Sequence, residues 1–237
     1  MLFRNGAQKG AVRAFPIFVS VGYTWAMAAR KTSLTLLVAS LVGVGFIWIR
    51  GGLFSTTGIV YLVWNLFLAW IPYLITTYCI KKSMSWVGFV PLFLLWLVFF
   101  PNAPYMVTDI IHVASGIHHV WFDALIFFFF AWIALLLGIL SLRNMHTQLR
   151  LRMSSTWSEI AVAAICVLTS FGIYLGRFER WNSWDIIMHP LDLFHHSYAI
   201  GTRLATDTTP LLFVTIFSIF FYTVYRVTIL LTTPEQK

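Results

Sequence analysis

Aspartate, histidine, arginine and asparagine gather in two short parts of this chain, a mixture suited to acid/base work, anion binding or metal ligation. Residues 100–123 and 176–207 hold six of the 8 acidic residues and every histidine except His146. In the first stretch Asp109 and His112 stand three apart, a spacing that puts a carboxylate and an imidazole on one face of a helix. Such a carboxylate can orient the imidazole for proton transfer, or the two can share a metal. His118-His119 and Asp123 follow. In the second stretch Arg177 and Arg180 share a face if helix runs through both, and two guanidinium forks can grip a phosphate or carboxylate. The same arginines can instead pair with Asp109, Asp123 or Asp185, and the residues by themselves favour that internal ion-pair network. Asp185, His189, Asp192 and His196 would form one helical stripe, but Pro190 disfavours an unbroken helix and predicts two short amphipathic pieces. Aspartate and histidine also suit a divalent metal, with no strict signature such as His-Glu-x-x-His to specify one.

The elements that must position these residues are apolar throughout. The chain of 237 residues is 59% hydrophobic and only 10% charged, with a mean hydropathy of +0.82. A water-soluble domain cannot hide that much apolar surface, so the composition predicts an all-α, polytopic transmembrane bundle. Continuous apolar runs rather than alternating ones exclude a β-barrel. Six runs are long enough to cross roughly 30 Å of hydrocarbon, at about 33–49, 57–80, 86–107, 122–142, 158–176 and 209–231. With the N-terminus in the cytoplasm, only Arg50, Arg177, Arg180 and Arg203 of the 16 basic residues face outward. That distribution obeys the positive-inside rule. The net charge of +8 therefore reflects membrane orientation and calls for no nucleic acid. Both polar stretches then fall on the outer side. Residues 14–29 are read as an interfacial helix, ahead of a seventh span or a signal peptide ending near Ala26-Met27-Ala28. The domain reading is a basic segment over 1–31, one transmembrane domain over 32–232 and a short tail. Cys79 and Cys166 lie inside apolar runs and read as small buried hydrophobes.

Three further residues extend the candidate site. Asn65 lies in the second span, where a buried amide must find a hydrogen-bond partner on another helix. Pro101 and Pro104 interrupt the end of the third span, and Asn102 is placed to cap a new short helix with Pro104 in its first turn. A broken helix at membrane depth belongs beside protein or a water-filled cavity. Asn182 sits between Trp181 and Trp184, which suit an interface or a roof over the site. Asp123 lies within a turn of the start of the fourth span and needs a partner or a proton. Gly172 and Gly176 form a GxxxG pair, either a close-packing surface or a helix stop.

Taken together, Trp64-Asn65-Leu66-Phe67-Leu68-Ala69-Trp70-Ile71-Pro72, Phe100-Pro101-Asn102-Ala103-Pro104-Tyr105 leading to Thr108-Asp109, and Gly176-Arg177-Phe178 leading to Arg180-Trp181-Asn182-Ser183-Trp184-Asp185 resemble a bacterial integral-membrane family catalogued as domain of unknown function 1361. The resemblance covers roughly residues 57–231. It implies a multi-pass protein of the bacterial cytoplasmic membrane and supplies no activity.

The expected site has Asp109, His112, Asp123 and Asp185 in catalytic positions. Asn65, Asn102, Arg177, Arg180 and Asn182 are expected to bind the substrate of a membrane enzyme, an amphiphilic or phosphorylated envelope molecule. A solute transporter and a structural protein docking a lipid or protein are the rival readings. Transport has against it that the inner halves of the spans carry almost no ionisable groups.

Overall fold

The structure, a computed structural model, describes residues 11–54, 58–82, 84–115, 120–203 and 207–232. His118-His119 and the side chains of residues 11–29 lie outside the described set, and with them the expectation for residues 14–29. The described elements are all helical: α1 Ala11–Phe54, α2 Tyr61–Lys81, α3 Trp86–Phe99, α4 Asn102–Thr108, a 3-10 helix Asp109–Ser115, α5 Val120–Arg150, α6 Ser155–Phe178, α7 Asp185–Met188, α8 Pro190–Arg203 and α9 Thr209–Thr232. Among the described residues six segments are long and apolar enough to span a membrane: Arg30–Leu53, Tyr61–Lys81, Trp86–His112, Trp121–Arg150, Ser155–Phe178 and Thr209–Thr232. The six expected spans are therefore present, and the chain is a multi-pass helical membrane protein.

The chain divides into two compact units, Met1–Val42 and Gly43–Lys237. The first carries the beginning of α1. In the second, α5 is the central helix, packing against α2, α4, α6 and α9. Paired contacts fix the helix directions. Tyr61 meets Phe127 and Thr76 meets Ser141, so α2 and α5 run parallel. Arg177 reaches Asp109 while Glu159 reaches Arg150, so α6 runs opposite to α5. Tyr174 meets Phe213 and His146 meets Tyr225, which sets α9 parallel to α5. This alternation brings the two polar stretches to one end of the second unit.

Polar clasps join the helices between their ends. Trp96 Nε1 donates to Ser141 Oγ at 2.8 Å, and Thr76 Oγ1 lies 3.4 Å from the same oxygen, tying α2, α3 and α5. Cys79 and Cys166 are free and buried.

The proline break between α3 and α4 is gentler than the two prolines suggest. Phe100 and Pro101 both keep right-handed helical angles, and only the hydrogen bonding shifts. The Ala103 amide donates to the Phe100 carbonyl at 3.2 Å, which leaves the Phe99 carbonyl short of its usual partner. Asn102 Nδ2 fills that vacancy at 2.9 Å. Asn102 thus does not cap α4 as its sequence position suggested. The residue preceding the helix, Pro101, is already helical, so Asn102 lies inside the turn and its amide reaches back.

The GxxxG pair is a close-packing surface. A Cβ at Gly172 would stand 3.0 Å from Pro101 Cγ, and one at Gly176 would stand 3.3 Å from the Tyr105 ring. The helix continues past Gly176 to Phe178, so the pair does not end it. Gly172→Ala is expected to cost about 1–3 kcal/mol, because the proline ring cannot swing aside. Gly45→Ala is the control, since nothing described lies within 4 Å of its Cβ position. Thermal melting in detergent should separate the two variants. Equal melting temperatures would remove the packing role.

Candidate functional site

Four of the expected residues meet at the end of α6. Arg177 is 8% exposed in its side chain and directs three nitrogens to three partners. Its Nε donates to Thr108 Oγ1 at 3.0 Å, Nη1 to His112 Nε2 at 2.9 Å, and Nη2 to Asp109 Oδ1. The guanidinium also lies 4.1 Å over the Tyr105 ring. Asn65 Nδ2 donates to the other Asp109 oxygen at 3.3 Å, the interhelical clasp expected for a buried amide. Asp109, 1% exposed, therefore has both oxygens engaged. The 3-10 geometry explains why Asp109 and His112 face one cation: at three residues per turn, positions three apart are eclipsed. A guanidinium only donates, so His112 Nε2 accepts as the unprotonated nitrogen. The Tyr61 ring stands edge-on to His112, centroids 6.1 Å apart.

Arg180 does not share that face. Helix α6 ends at Phe178, and Arg180 takes φ 60°, a left-handed conformation that only a few non-glycine residues adopt. Its side chain is exposed and has no hydrogen bond or ion pair among the described residues. The turn it makes lets the Trp181 and Glu179 amides both donate to the Leu175 carbonyl, at 3.1 and 3.2 Å. Beyond it, Asp185 Oδ2 accepts from the Asn182 backbone amide at 2.6 Å and from its side chain at 3.3 Å, so Asp185 holds a turn. The stripe through Pro190 is split into α7 and α8 as expected, and His196 pairs instead with Glu179 at 2.8 Å. Outside the spans, the Thr209 backbone amide beside Asp207 holds that carboxyl below the usual carboxylate range.

Asp123 joins neither arginine of the second stretch. It is fully buried in the first turn of α5 and forms a two-pronged pair with Arg50 of α1, whose Nε and Nη2 reach its two oxygens. The α5 N-terminus adds its own partial positive charge to that pairing. The partner that Asp123 required is thus on the first span.

A cavity of about 400 Å³ opens beside the Arg177 cluster. Its polar lining is Asn65, Asn102, Tyr105, Asn182 and Ser183, and Trp64, Trp181, Trp184, Leu97, Leu168, Phe171 and Leu193 belong to its aromatic and apolar lining. Within this lining Asn102 Nδ2 donates to Ser183 Oγ at 2.9 Å. Among the described residues no acidic, basic or histidine side chain lines the cavity. Tyr105 and Asn65 stand between the cavity and the buried charges, each touching both. All three asparagines singled out in the sequence therefore line one cavity, while Arg177, Asp109 and His112 are not part of its lining. Among the described residues no group of three or more histidine, cysteine or acidic side chains could hold a metal ion.

At the other end of α5 lies a cluster that the sequence pattern did not expose. His146, 23 residues and about 35 Å along the helix from Asp123, places Nδ1 2.7 Å from the Tyr225 hydroxyl. Arg150 Nε donates to His146 Nε2 at 3.1 Å, and Glu159 is held by Arg150 at 2.6 Å and Arg226 at 2.7 Å. The claim that this end carries almost no ionisable groups is corrected: three helices contribute five titratable side chains. The cluster was hidden because Tyr225, Glu159 and Arg226 come to His146 and Arg150 from other spans. The available signal was that Glu159 and His146 each lay at the edge of an apolar run and so needed a partner.

Compared with known proteins, the chain matches at residues 64–224 the sequence model of a family described as "Protein of unknown function (DUF1361)". No curated protein and no solved structure matches it.

Proposed function

The chain belongs to the DUF1361 family, and we propose that this member is a multi-pass protein of a bacterial cytoplasmic membrane that binds an amphiphile with an uncharged, hydrogen-bonding head. The observation that carries the reading is a cavity lined by Asn65, Asn102, Asn182 and Ser183 together with three tryptophans and a larger apolar surface. Amides and hydroxyls give a head directional hydrogen bonds, and tryptophan faces suit a ring or polyol. The apolar part of the lining suits a chain. A phosphorylated ligand fits less well, because Arg177 is committed to Asp109, His112 and Thr108 and stands behind Tyr105. In this reading Asp109 and His112 position Arg177, which braces the cavity wall, rather than move protons. The Lys/Arg distribution supports an extracytoplasmic mouth for the cavity.

Native mass spectrometry of the purified protein with monoolein and with lysophosphatidate of the same chain length tests the proposal. Monoolein is expected to be retained, with Asn102→Leu weakening retention by about 5–10-fold through the loss of one or two neutral hydrogen bonds. Ser183→Ala, which leaves the Phe99 carbonyl satisfied, should weaken it less. Preferential retention of lysophosphatidate, or indifference to both substitutions, would overturn the uncharged-head reading.

A further inference from the structure

Helix α8 presents three distinct sides. Leu193 and Ile200 turn toward the second unit's core, where they pack with Tyr174, Leu175 and Phe213. His196, on the same side, reaches Glu179. A second side carries Leu191, Phe194 and Tyr198, which are 72, 66 and 68% exposed. At 3.6 residues per turn these three fall within an arc of about 60°. The third side carries Asp192, His195 and Thr202, all exposed and polar or charged. A helix packed against a bundle at the edge of a bilayer must offer a core side, a lipid side and a water side. On α8 the exposed apolar arc lies roughly opposite the core side, with the polar arc between them on one flank.

We propose that α8 is an interfacial helix seated in the leaflet, with Leu191, Phe194 and Tyr198 buried among lipid and Asp192 and His195 in water. Three observations on this helix support a lipid surface as the occupant. It lies between two membrane-capable segments, Ser155–Phe178 and Thr209–Thr232, so its ends are tethered near the membrane boundary. Its core side shares one apolar cluster with Phe171 and Phe213, which lie inside those segments rather than beyond their ends. Leu211 and Leu212, at the start of α9, are likewise apolar and 50 and 56% exposed. An exposed apolar stripe of this size is otherwise rare on a soluble surface.

The seating has a consequence for the cavity. Trp184, Ile186 and Leu193, from α7 and α8 and the turn before them, form one of its walls. That wall would border lipid, so the amphiphile enters sideways from the leaflet rather than from water. This route rests on the amphiphile reading; the seating of α8 does not.

Spin labels decide the seating. Cys79 and Cys166 are buried, so a methanethiosulfonate label attaches at introduced cysteines. In phosphatidylcholine nanodiscs, L191C, F194C and Y198C are expected to be several-fold more accessible to oxygen than to a water-soluble nickel chelate. D192C and H195C should show the reverse. Equal nickel accessibility at all five positions would overturn the proposal, even if monoolein binds. If one apolar position fails to express, the other two still define the stripe. The route of entry has its own readout. Phe194→Glu, outside the cavity, should slow monoolein uptake from nanodiscs at least several-fold while leaving uptake from detergent micelles unchanged. Equal slowing in both would overturn the lateral route while leaving the amphiphile reading intact.

Discussion

Arg177→Ala is expected to lower the melting temperature on the order of 10 °C, the largest effect of any single substitution near the cavity. The reason is what it leaves behind. Asp109 is 1% exposed and would keep only the Asn65 amide at 3.3 Å. Removing one member of a buried ion pair typically costs about 3–5 kcal/mol, because the remaining charge cannot return to water. The Tyr105 ring would also lose the guanidinium stacked at 4.1 Å. Arg177→Lys should recover only part of the loss. A lysine ammonium cannot reach Thr108, His112 and Asp109 with a planar fork, and it does not stack as guanidinium does. His112→Ala, which removes one neutral acceptor, should cost about 1 kcal/mol. Thermal unfolding in detergent, followed by tryptophan fluorescence, gives the ranking. If Arg177→Ala melts within a degree or two of the parent protein and loses only ligand binding, Arg177 is an anion-binding residue and the bracing role fails.

The second large effect concerns the other buried pair. Arg50 and Asp123 are 4 and 0% exposed and joined by two hydrogen bonds. Asp123→Leu and Arg50→Met should each destabilise by about 3–5 kcal/mol, whereas the double substitution should cost far less, since apolar residues of similar size often replace a buried pair at little loss. The coupling measured by the cycle is thus expected to exceed about 2 kcal/mol. Additive single effects would show that the two charges are stabilised independently. Ligand retention in the double variant should match the parent, because neither residue lines the cavity. A loss of retention there would place Asp123 in the binding machinery after all.

The candidate site was legible in part, and the parts differ for physical reasons. Asn65 could be singled out because an amide inside an apolar run has to hydrogen-bond, whatever its partner. That Asp109 and His112 act together followed from their spacing, and the 3-10 helix preserved it. Arg180 was misplaced because nothing in Arg177-Phe178-Glu179-Arg180 marks the end of α6. An arginine occupies the left-handed position where glycine would have been the usual sign. Asp123 could be read as needing a counter-charge, yet Arg50 is 73 residues away in the chain and was read only as one of four outward-facing arginines. Asn102 was taken for a cap because prolines dominate the local pattern. Its actual role depends on which carbonyl the break leaves unsatisfied.

By itself the sequence determined the helical class, the six spans and the gathering of polar residues at one end, because each follows from hydropathy, length and alternation along the chain. Only the tertiary structure decided which charges neutralise one another. Arg177 is committed to Asp109 and Arg50 to Asp123, and a cavity lined by neutral amides remains beside them. Partner choice between buried charges depends on which helices are neighbours and how they are rotated. Local periodicity carries neither.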